Sequence, residues 1–210
     1  MLKIAILAKL NLTPNYIYET IVTTYNKKDK TPNAAPMGIK ILDDQNIVIS
    51  PFLSTQTHKN IEKYGCAVIN FIYDLEIFFE STFNKKRSKL PLTLFENATN
   101  VDAPRLKEAI AHIEIRVREV QKDSERSNFF GEIVACDFST IPFHPLNRGY
   151  NLVLESMVHA TRIITFKKDT EKVKNLINLI EHYRKLVKKV APTGKFVNLM
   201  DKIQNIIKKG

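Results

Sequence analysis

Hydrophobic and polar residues alternate along the first part of the chain and change to a helical spacing towards its end. Residues 16–25 alternate and are rich in Ile, Val, Thr and Tyr, which is typical of a half-buried strand. Residues 37–42 and 46–50 read as two more strands around Asp43 and Asp44, and this spacing predicts a short hairpin. The first third of the chain is therefore predicted to be an antiparallel meander.

The middle of the chain breaks this strand pattern twice. A short helix is predicted to begin at Thr55 or Thr57 and to end at Gly65, after which CAVINFIY resumes as a strand. Residues 81–105 contain two prolines and a basic run without a sustained period. We expect a long loop or insertion there.

A second hairpin and three helices complete the predicted elements. Residues 111–120 alternate strictly, and residues 129–138 resume as a strand after a polar turn. Three apolar stripes of helical period follow in residues 147–163, 170–190 and 195–208. Because the intervening IPFHPLNRG contains two prolines and a glycine, we predict a β domain over residues 1–143 and a helical domain over residues 144–210.

Composition narrows the class of protein. A hydrophobic content of 44% and a charged content of 26% are near the average of globular domains. No apolar run approaches the roughly 18 residues of a membrane span, and MLKIAILAKL lacks a signal-peptide cleavage site. We therefore expect a cytoplasmic protein. Cys66 and Cys136 have no metal-ligand spacing and are predicted to be buried free thiols, so no metal site is predicted.

The positive charge is concentrated at the end of the chain. Residues 166–210 contain 12 Lys and Arg against 4 Asp and Glu, and so carry +8 of the formal net charge of +10. Such an excess raises nucleic acid as a partner. These charges, however, are spread over amphipathic helices with few aromatic residues, which favours solvated helix faces over a nucleic-acid site.

The segment STQTHKN, residues 54–60, has the features of a phosphate site. Ser54, Thr55 and Thr57 offer hydroxyl groups at a strand-to-helix junction, where the first helical amides lack partners. Lys59 adds a positive charge. The alternative is that one of these hydroxyls only caps the helix.

The segment NAAPMG, residues 33–38, places small residues around a proline at the start of a strand. Such a run lets the backbone approach a flat ligand closely, with Asn33 as a side-chain donor. The alternative is a simple turn at the strand entry.

Taken together, these two segments resemble the flavin reductases and other FMN-binding split-barrel proteins. The matching pattern is Asn33 with Pro36, a hydrophobic strand, T-x-x-N-I from Thr57, Gly65 and V-I-N at residues 68–70. The whole chain also resembles a mainly archaeal family, without an assigned reaction, that joins this barrel to a short helical C-terminal domain. The segments that carry this second resemblance are YETIVTT, NAAPMGI, ISPFLSTQTHKNI, AVIN, NRG, LES and VHATR.

The resemblance implies an α+β fold, an antiparallel split β-barrel with an inserted helix and a C-terminal helical extension. It implies non-covalent FMN, a homodimer with FMN in the subunit cleft, and a nicotinamide or deazaflavin electron donor. Gly38 stands where flavin reductases usually have serine, and Thr55-Gln56 where many have Lys-Asp. The candidate cofactor-binding residues are Asn33, Ala35, Met37 and Gly38 in the first segment and Ser54, Thr55, Thr57 and Asn60 in the second.

A second polar group follows in the first C-terminal helix. Arg148, Glu155, His159 and Arg162 are spaced at seven, four and three residues, which puts them on one helical stripe. One hypothesis is that this stripe reaches the flavin or substrate, with His159 and Arg162 as candidate catalytic residues. The alternative is a buried Glu155–His159–Arg162 network that fastens the helix to the barrel or to a second subunit.

These observations predict an FMN-binding flavoprotein that acts as an oxidoreductase. The alternatives are a flavin-binding or interaction module without turnover, and a basic nucleic-acid-binding protein. The sequence has no GxGxxG, P-loop or Ser/His/Asp order, so any nicotinamide would dock directly on the flavin face.

Overall fold

The chain divides into two compact units. A computed structural model describes residues 6–83, 90–138, 144–165 and 170–209. The barrel unit consists of Met1–Pro14 and Tyr18–Leu146, and the helical unit of Asn15–Ile17 and Asn147–Gly210. The domain boundary predicted at residue 143 lies outside the described residues.

Six strands of the barrel unit close into an antiparallel barrel in the order β1-β2-β3-β8-β7-β4, and β5 and β6 form a separate two-stranded sheet. Among the described residues, six helices accompany the strands, three of them in the helical unit. The predicted α+β class, with a split barrel and a helical C-terminal region, is confirmed. The elements of the barrel unit are α1 (Ile6–Lys9), β1 (Ile17–Tyr25), β2 (Pro32–Ile41), β3 (Asn46–Ile49), α2 (Gln56–Tyr64), β4 (Cys66–Phe71), α3 (Leu75–Phe83), β5 (Phe95–Asn97), β6 (Pro104–Leu106), β7 (Ala111–Lys122) and β8 (Ser127–Phe138), and those of the helical unit are α4 (Arg148–Thr165), α5 (Thr170–Val190) and α6 (Lys195–Lys209).

Both predicted hairpins are confirmed. In the first, β2 pairs with β3, and Ile39 lies opposite Ile49. The turn contains no glycine, but the Asp43 carboxylate accepts hydrogen bonds from the amides of Gln45 (2.7 Å) and Asn46 (2.9 Å). This carboxylate therefore closes the turn, as aspartate commonly does through its side chain.

Cross-strand pairs of branched side chains fill the barrel. Ile39 and Ile49 are fully buried, and so are Ile69 and Ile113, which face each other across β4 and β7. Such pairs are the unit of sheet stabilisation, and they hold β2 and β4 in register beside the elements that carry the candidate site.

Residues 81–105 were predicted to be a long loop or an insertion, and the loop is wrong for much of their length. The described part of this stretch contains the end of α3, a 3₁₀ turn at Leu92–Leu94, all of β5 and the start of β6, while residues 84–89 lie outside the described residues. The buried Glu114 carboxylate accepts the amides of Thr99 (3.1 Å) and Asn100 (2.7 Å) between β5 and β6. Elements this short leave no periodic pattern in the sequence. They are held in place by tertiary contacts such as these, which the sequence does not show.

The two cysteines differ in burial. Both are free; Cys66 is buried and Cys136 is half-buried. Burial raises the pKa of the Cys66 thiol and raises that of Cys136 to about 12. The prediction of a buried free thiol is confirmed for Cys66. For Cys136 the burial was wrong, because it lies near the end of β8, where the strand becomes progressively more exposed.

All three predicted C-terminal helices are confirmed, as α4 to α6. They pack around a shared apolar core that includes Val153, Ile180 and Met200. Met157 on α4 lies outside this core and is 40% exposed. Ser156 takes an inward position and donates its hydroxyl to the Leu152 carbonyl (2.7 Å), which satisfies the buried oxygen.

Candidate functional site

The two segments that the sequence singled out meet in the barrel unit. Asn33 on β2 donates through Nδ2 to Thr57 Oγ1 on α2, at 3.2 Å. The same nitrogen lies 3.3 Å from Thr24 Oγ1 on β1. A small polar cluster of three neighbouring elements therefore connects NAAPMG to the start of the STQTHKN helix.

Thr55 begins α2 as its N-cap. Its hydroxyl accepts the amide of His58 (3.3 Å) and donates to the Phe52 carbonyl (2.8 Å). The expectation that a hydroxyl of this segment caps the helix is thus confirmed. Within the described part of the chain, the amides of Gln56 and Thr57 have no hydrogen-bond partner. Two donors at the positive end of the helix dipole therefore remain for an anion.

Asn60 supports this site from beneath. Its side chain is fully buried, and Nδ2 donates to Thr24 Oγ1 (2.9 Å) and Asn26 Oδ1 (3.3 Å). Its Oδ1 accepts the Lys27 amide (3.1 Å) and Gln56 Nε2 (2.7 Å). Because every hydrogen-bonding position of this amide already has a protein partner, the side chain fixes α2 against β1.

The first half of β2 forms a strip of intermediate exposure. Each residue from Pro32 to Met37 is partly buried, whereas Gly38 is exposed and Ile39 is fully buried. Thr20 on β1 donates its hydroxyl to the Met37 carbonyl (3.0 Å) and so anchors the strip. Ala35 and Met37 thus lie on the same partly open strand as Asn33.

The remaining hydroxyl and cation of the predicted phosphate segment are solvent-exposed. Ser54 precedes the N-cap and Lys59 lies one turn into α2, and both are exposed. Thr57 is buried, with its hydroxyl turned to Asn33. The eight predicted cofactor-binding residues are therefore divided between a buried support, Thr57 and Asn60, and a more open rim.

The tip of the β7–β8 hairpin packs against the segment that leads into α2. Leu53 donates its amide to the Glu125 carbonyl (2.9 Å), and Ser127 donates its amide to the Pro51 carbonyl (3.1 Å). The guanidinium of Arg126 lies over the Phe52 ring, 3.5 Å from its centroid. This contribution was not predicted from the sequence. The polar turn between these two strands carries no signal for where it packs.

His58 also joins this tip to α2. Its side chain is buried, with its ring against Phe129 at 5.5 Å between centroids. Its Nε2 lies 2.9 Å from Ser127 Oγ. Its Nδ1 is buried without a hydrogen-bond partner among the described residues.

Two family models match the chain. The N-terminal domain of a protein family of unknown function, DUF447, matches residues 18–139, and the second DUF447 model matches residues 147–205. The chain belongs to the DUF447 family. The expected membership of a family that joins a split barrel to a helical C-terminal domain is thereby confirmed.

Solved structures support the same conclusion for the DUF447 fold. An FMN-bound DUF447 protein from Methanosarcina mazei is 29% identical, with 95% of this chain and 99% of that chain covered and a TM-score of 0.54. A flavoredoxin from Methanosarcina acetivorans is 20% identical, with 59% of this chain and 69% of that one covered and a TM-score of 0.53. A protein with a split-barrel domain from Shewanella frigidimarina is 15% identical, with coverages of 60% and 68% and a TM-score of 0.53. The last two similarities show the fold alone.

The predicted stripe of α4 lies in the helical unit of this DUF447 chain. Arg148, Glu155 and Arg162 are exposed, whereas His159 is buried and its ring stacks on Tyr183 at 5.9 Å. A buried Glu155–His159–Arg162 network is not formed within the described part of the chain.

Among the described residues, no helix is both long enough and apolar enough to span a bilayer.

Proposed function

We propose that the barrel unit binds FMN non-covalently and that the protein is an FMN-dependent oxidoreductase. The isoalloxazine and ribityl would lie along the strip of Asn33, Ala35 and Met37, and the phosphate at the start of α2. One contact carries this proposal. The hydrogen bond from Asn33 to Thr57 joins the two halves of the predicted flavin site, which are 24 residues apart in the chain.

Two features of the described residues and one comparison support FMN. The first half of β2 is a partly buried strip of small residues that a flat ring can approach closely. The amides of Gln56 and Thr57 are donors without a protein partner, and such donors at a helix N-terminus suit a phosphate dianion. The similarity to an FMN-bound DUF447 protein extends over 95% of this chain and supports the same cofactor.

FMN supplies hydride and electron-transfer chemistry when it is bound. The chain would supply binding, orientation and exclusion of water. Asn33 would orient the ligand from β2, while Asn60 and Thr57 would hold α2 so that its open amides keep their direction. No side chain is required as a nucleophile. Following the resemblance to split-barrel proteins, we also propose a homodimer and a nicotinamide or reduced deazaflavin donor that docks directly on the flavin.

The first experiment is an FMN titration followed by quenching of flavin fluorescence. We expect wild-type binding at micromolar concentration or below, and about tenfold weaker binding for Asn33→Ala, which is the loss of one hydrogen bond of about 1.4 kcal/mol. Asn46→Ala is the matched control, because its side chain is exposed and bonds to the Asp43 carboxylate in the β2–β3 turn. Wild-type protein that does not bind FMN would refute the proposal.

Turnover is tested separately from binding. The FMN-loaded protein is mixed without oxygen with NADH, NADPH or a reduced deazaflavin, and the flavin absorbance is followed. Bleaching by one of these donors supports an oxidoreductase. Stable absorbance with all three, in a protein that binds FMN, would leave a flavin-binding module without turnover.

A further inference from the structure

We propose that Arg126 is the cation that binds the phosphate of the ligand and so makes the site selective for FMN over riboflavin. This inference rests on the proposed FMN binding and names a residue that the sequence did not indicate. The sequence offered Lys59 as the cation of the phosphate segment. The structure brings a second cation to the same segment from the β7–β8 hairpin.

Several hydrogen bonds fix the position of Arg126 beside the entry to α2. Its backbone pairs with Phe52 in an isolated β-bridge, and its Nη1 donates to the Ser50 carbonyl at 2.8 Å. The Asp123 carboxylate accepts the Arg126 amide (2.6 Å), which orders the hairpin tip and lowers the pKa of that carboxyl. The Ser127 hydroxyl bonds to His58 on α2 itself. The hairpin tip that carries the guanidinium is therefore bonded both to the residues before α2 and to α2 itself.

Phe52, the residue that pairs with Arg126, lies close to the start of α2 along the chain. The amide of Thr55 donates to the Phe52 carbonyl at 3.0 Å and closes a turn. The Cα atoms at the ends of such a turn lie within about 7 Å of each other. Phe52, whose ring the guanidinium covers, is thus one turn away from the N-cap, after which the unpartnered amides of Gln56 and Thr57 begin.

Arg126 forms no salt bridge within the described part of the chain, whereas Arg105, Arg118 and Arg184 each pair with a carboxylate. The Asp123 carboxylate of the same hairpin tip interacts with the Arg126 charge without forming a salt bridge. Of the five N–H donors of a guanidinium, only the one to Ser50 has a partner in that part. A half-buried arginine that is held in place but unpaired suits an anionic ligand.

The Phe52 ring sets the orientation of this cation. The guanidinium carbon lies 3.5 Å from the ring centroid, and a guanidinium that packs over an aromatic ring keeps the donors at its edge available. That edge matches two oxygens of a phosphate, and the positive end of the α2 dipole would favour the same anion. Riboflavin has no phosphate, so these groups would discriminate between the two flavins without contacting the ring.

The test compares dissociation constants for FMN and riboflavin. For Arg126→Ala we expect FMN binding to weaken about 10- to 100-fold, the range of charge-assisted hydrogen bonds, and riboflavin binding to change less than about twofold. Arg126→Lys keeps the charge but loses the planar fork, so we expect an intermediate loss for FMN alone. Arg118→Ala is the control on the same hairpin, because Arg118 is exposed and pairs with Glu132.

Several results would overturn the inference. An equal loss of FMN and riboflavin affinity in Arg126→Ala would mean that Arg126 only shapes the tip. Unchanged FMN affinity would mean that it does not contact the phosphate. If circular dichroism shows that Arg126→Ala does not fold, Arg126→Gln replaces it, since glutamine retains a donor for the Ser50 carbonyl. Arg126→Gln must then show the same selective loss of FMN affinity. Failure of the wild type to bind FMN would instead refute the proposed function, and this outcome is distinct from the others.

Discussion

Asn60 is the residue whose replacement tests the interpretation of the site most directly. In Asn60→Ala, the buried amide loses its bonds to Thr24 Oγ1, Asn26 Oδ1, the Lys27 amide and Gln56 Nε2. If this side chain fastens α2 to β1, the substitution must lower the stability of the folded protein as well as the affinity for FMN.

The expected loss follows from the surroundings of each partner. Gln56 and Lys27 are exposed, so their N–H donors can bond to water when Asn60 is replaced, and the loss of these two bonds costs little. The Thr24 hydroxyl is buried and, among the described residues, keeps only the longer bond from Asn33. With about 0.5 to 1.5 kcal/mol for each bond and a further penalty for the buried hydroxyl, we expect a total of about 2 to 3 kcal/mol.

Urea unfolding followed by far-UV circular dichroism measures this loss, since the chain contains no tryptophan. Asn46→Ala is again the matched control: it makes the same chemical change at an exposed site, and we expect a loss below about 1 kcal/mol. The reasoning would be refuted if Asn60→Ala lowered the free energy of unfolding no more than Asn46→Ala, at an unchanged slope with urea.

Two further predictions concern Gly65, which precedes β4, and His112 on β7. Gly65 terminates α2 with a φ of 64°, and a Cβ there would meet no atom within 4 Å, so Gly65→Ala should cost only the left-handed backbone, about 1 to 2 kcal/mol in urea unfolding. A loss above about 3 kcal/mol would show that backbone conformation is not the cause. His112 is buried and donates through Nε2 to the Leu106 carbonyl, and burial lowers its pKa. Because the unfolded chain then binds the proton more readily, this contribution to stability is complete above about pH 6.5 and falls as the pH drops towards the folded-state pKa. Thermal unfolding is measured at pH values of about 7.5 and 5.5. The drop in melting temperature between these two pH values should be smaller for His112→Gln than for the wild type, and an equal drop would contradict this role.

The sequence by itself determined the elements whose signals are local. A few consecutive residues carry each of these signals: the alternation in β1 and β7, the N-cap Thr55 and C-cap Gly65 of α2, and the apolar periods of α4 to α6. Side-chain periodicity and cap chemistry depend on those neighbours alone, so they could be recognised without a fold. The resemblance to split-barrel proteins then linked the two halves of the flavin segment.

The tertiary structure decided which distant residues meet. The pairing of Asn33 with Thr57 depends on the closure of the barrel, and the contact between Arg126 and Ser50 spans 76 residues. A strand pattern shows which face is buried but not which strand will be its neighbour, because many registers bury the same apolar face. For the same reason the sequence placed His159 on a polar stripe, whereas packing against Tyr183 in the helical unit buries it.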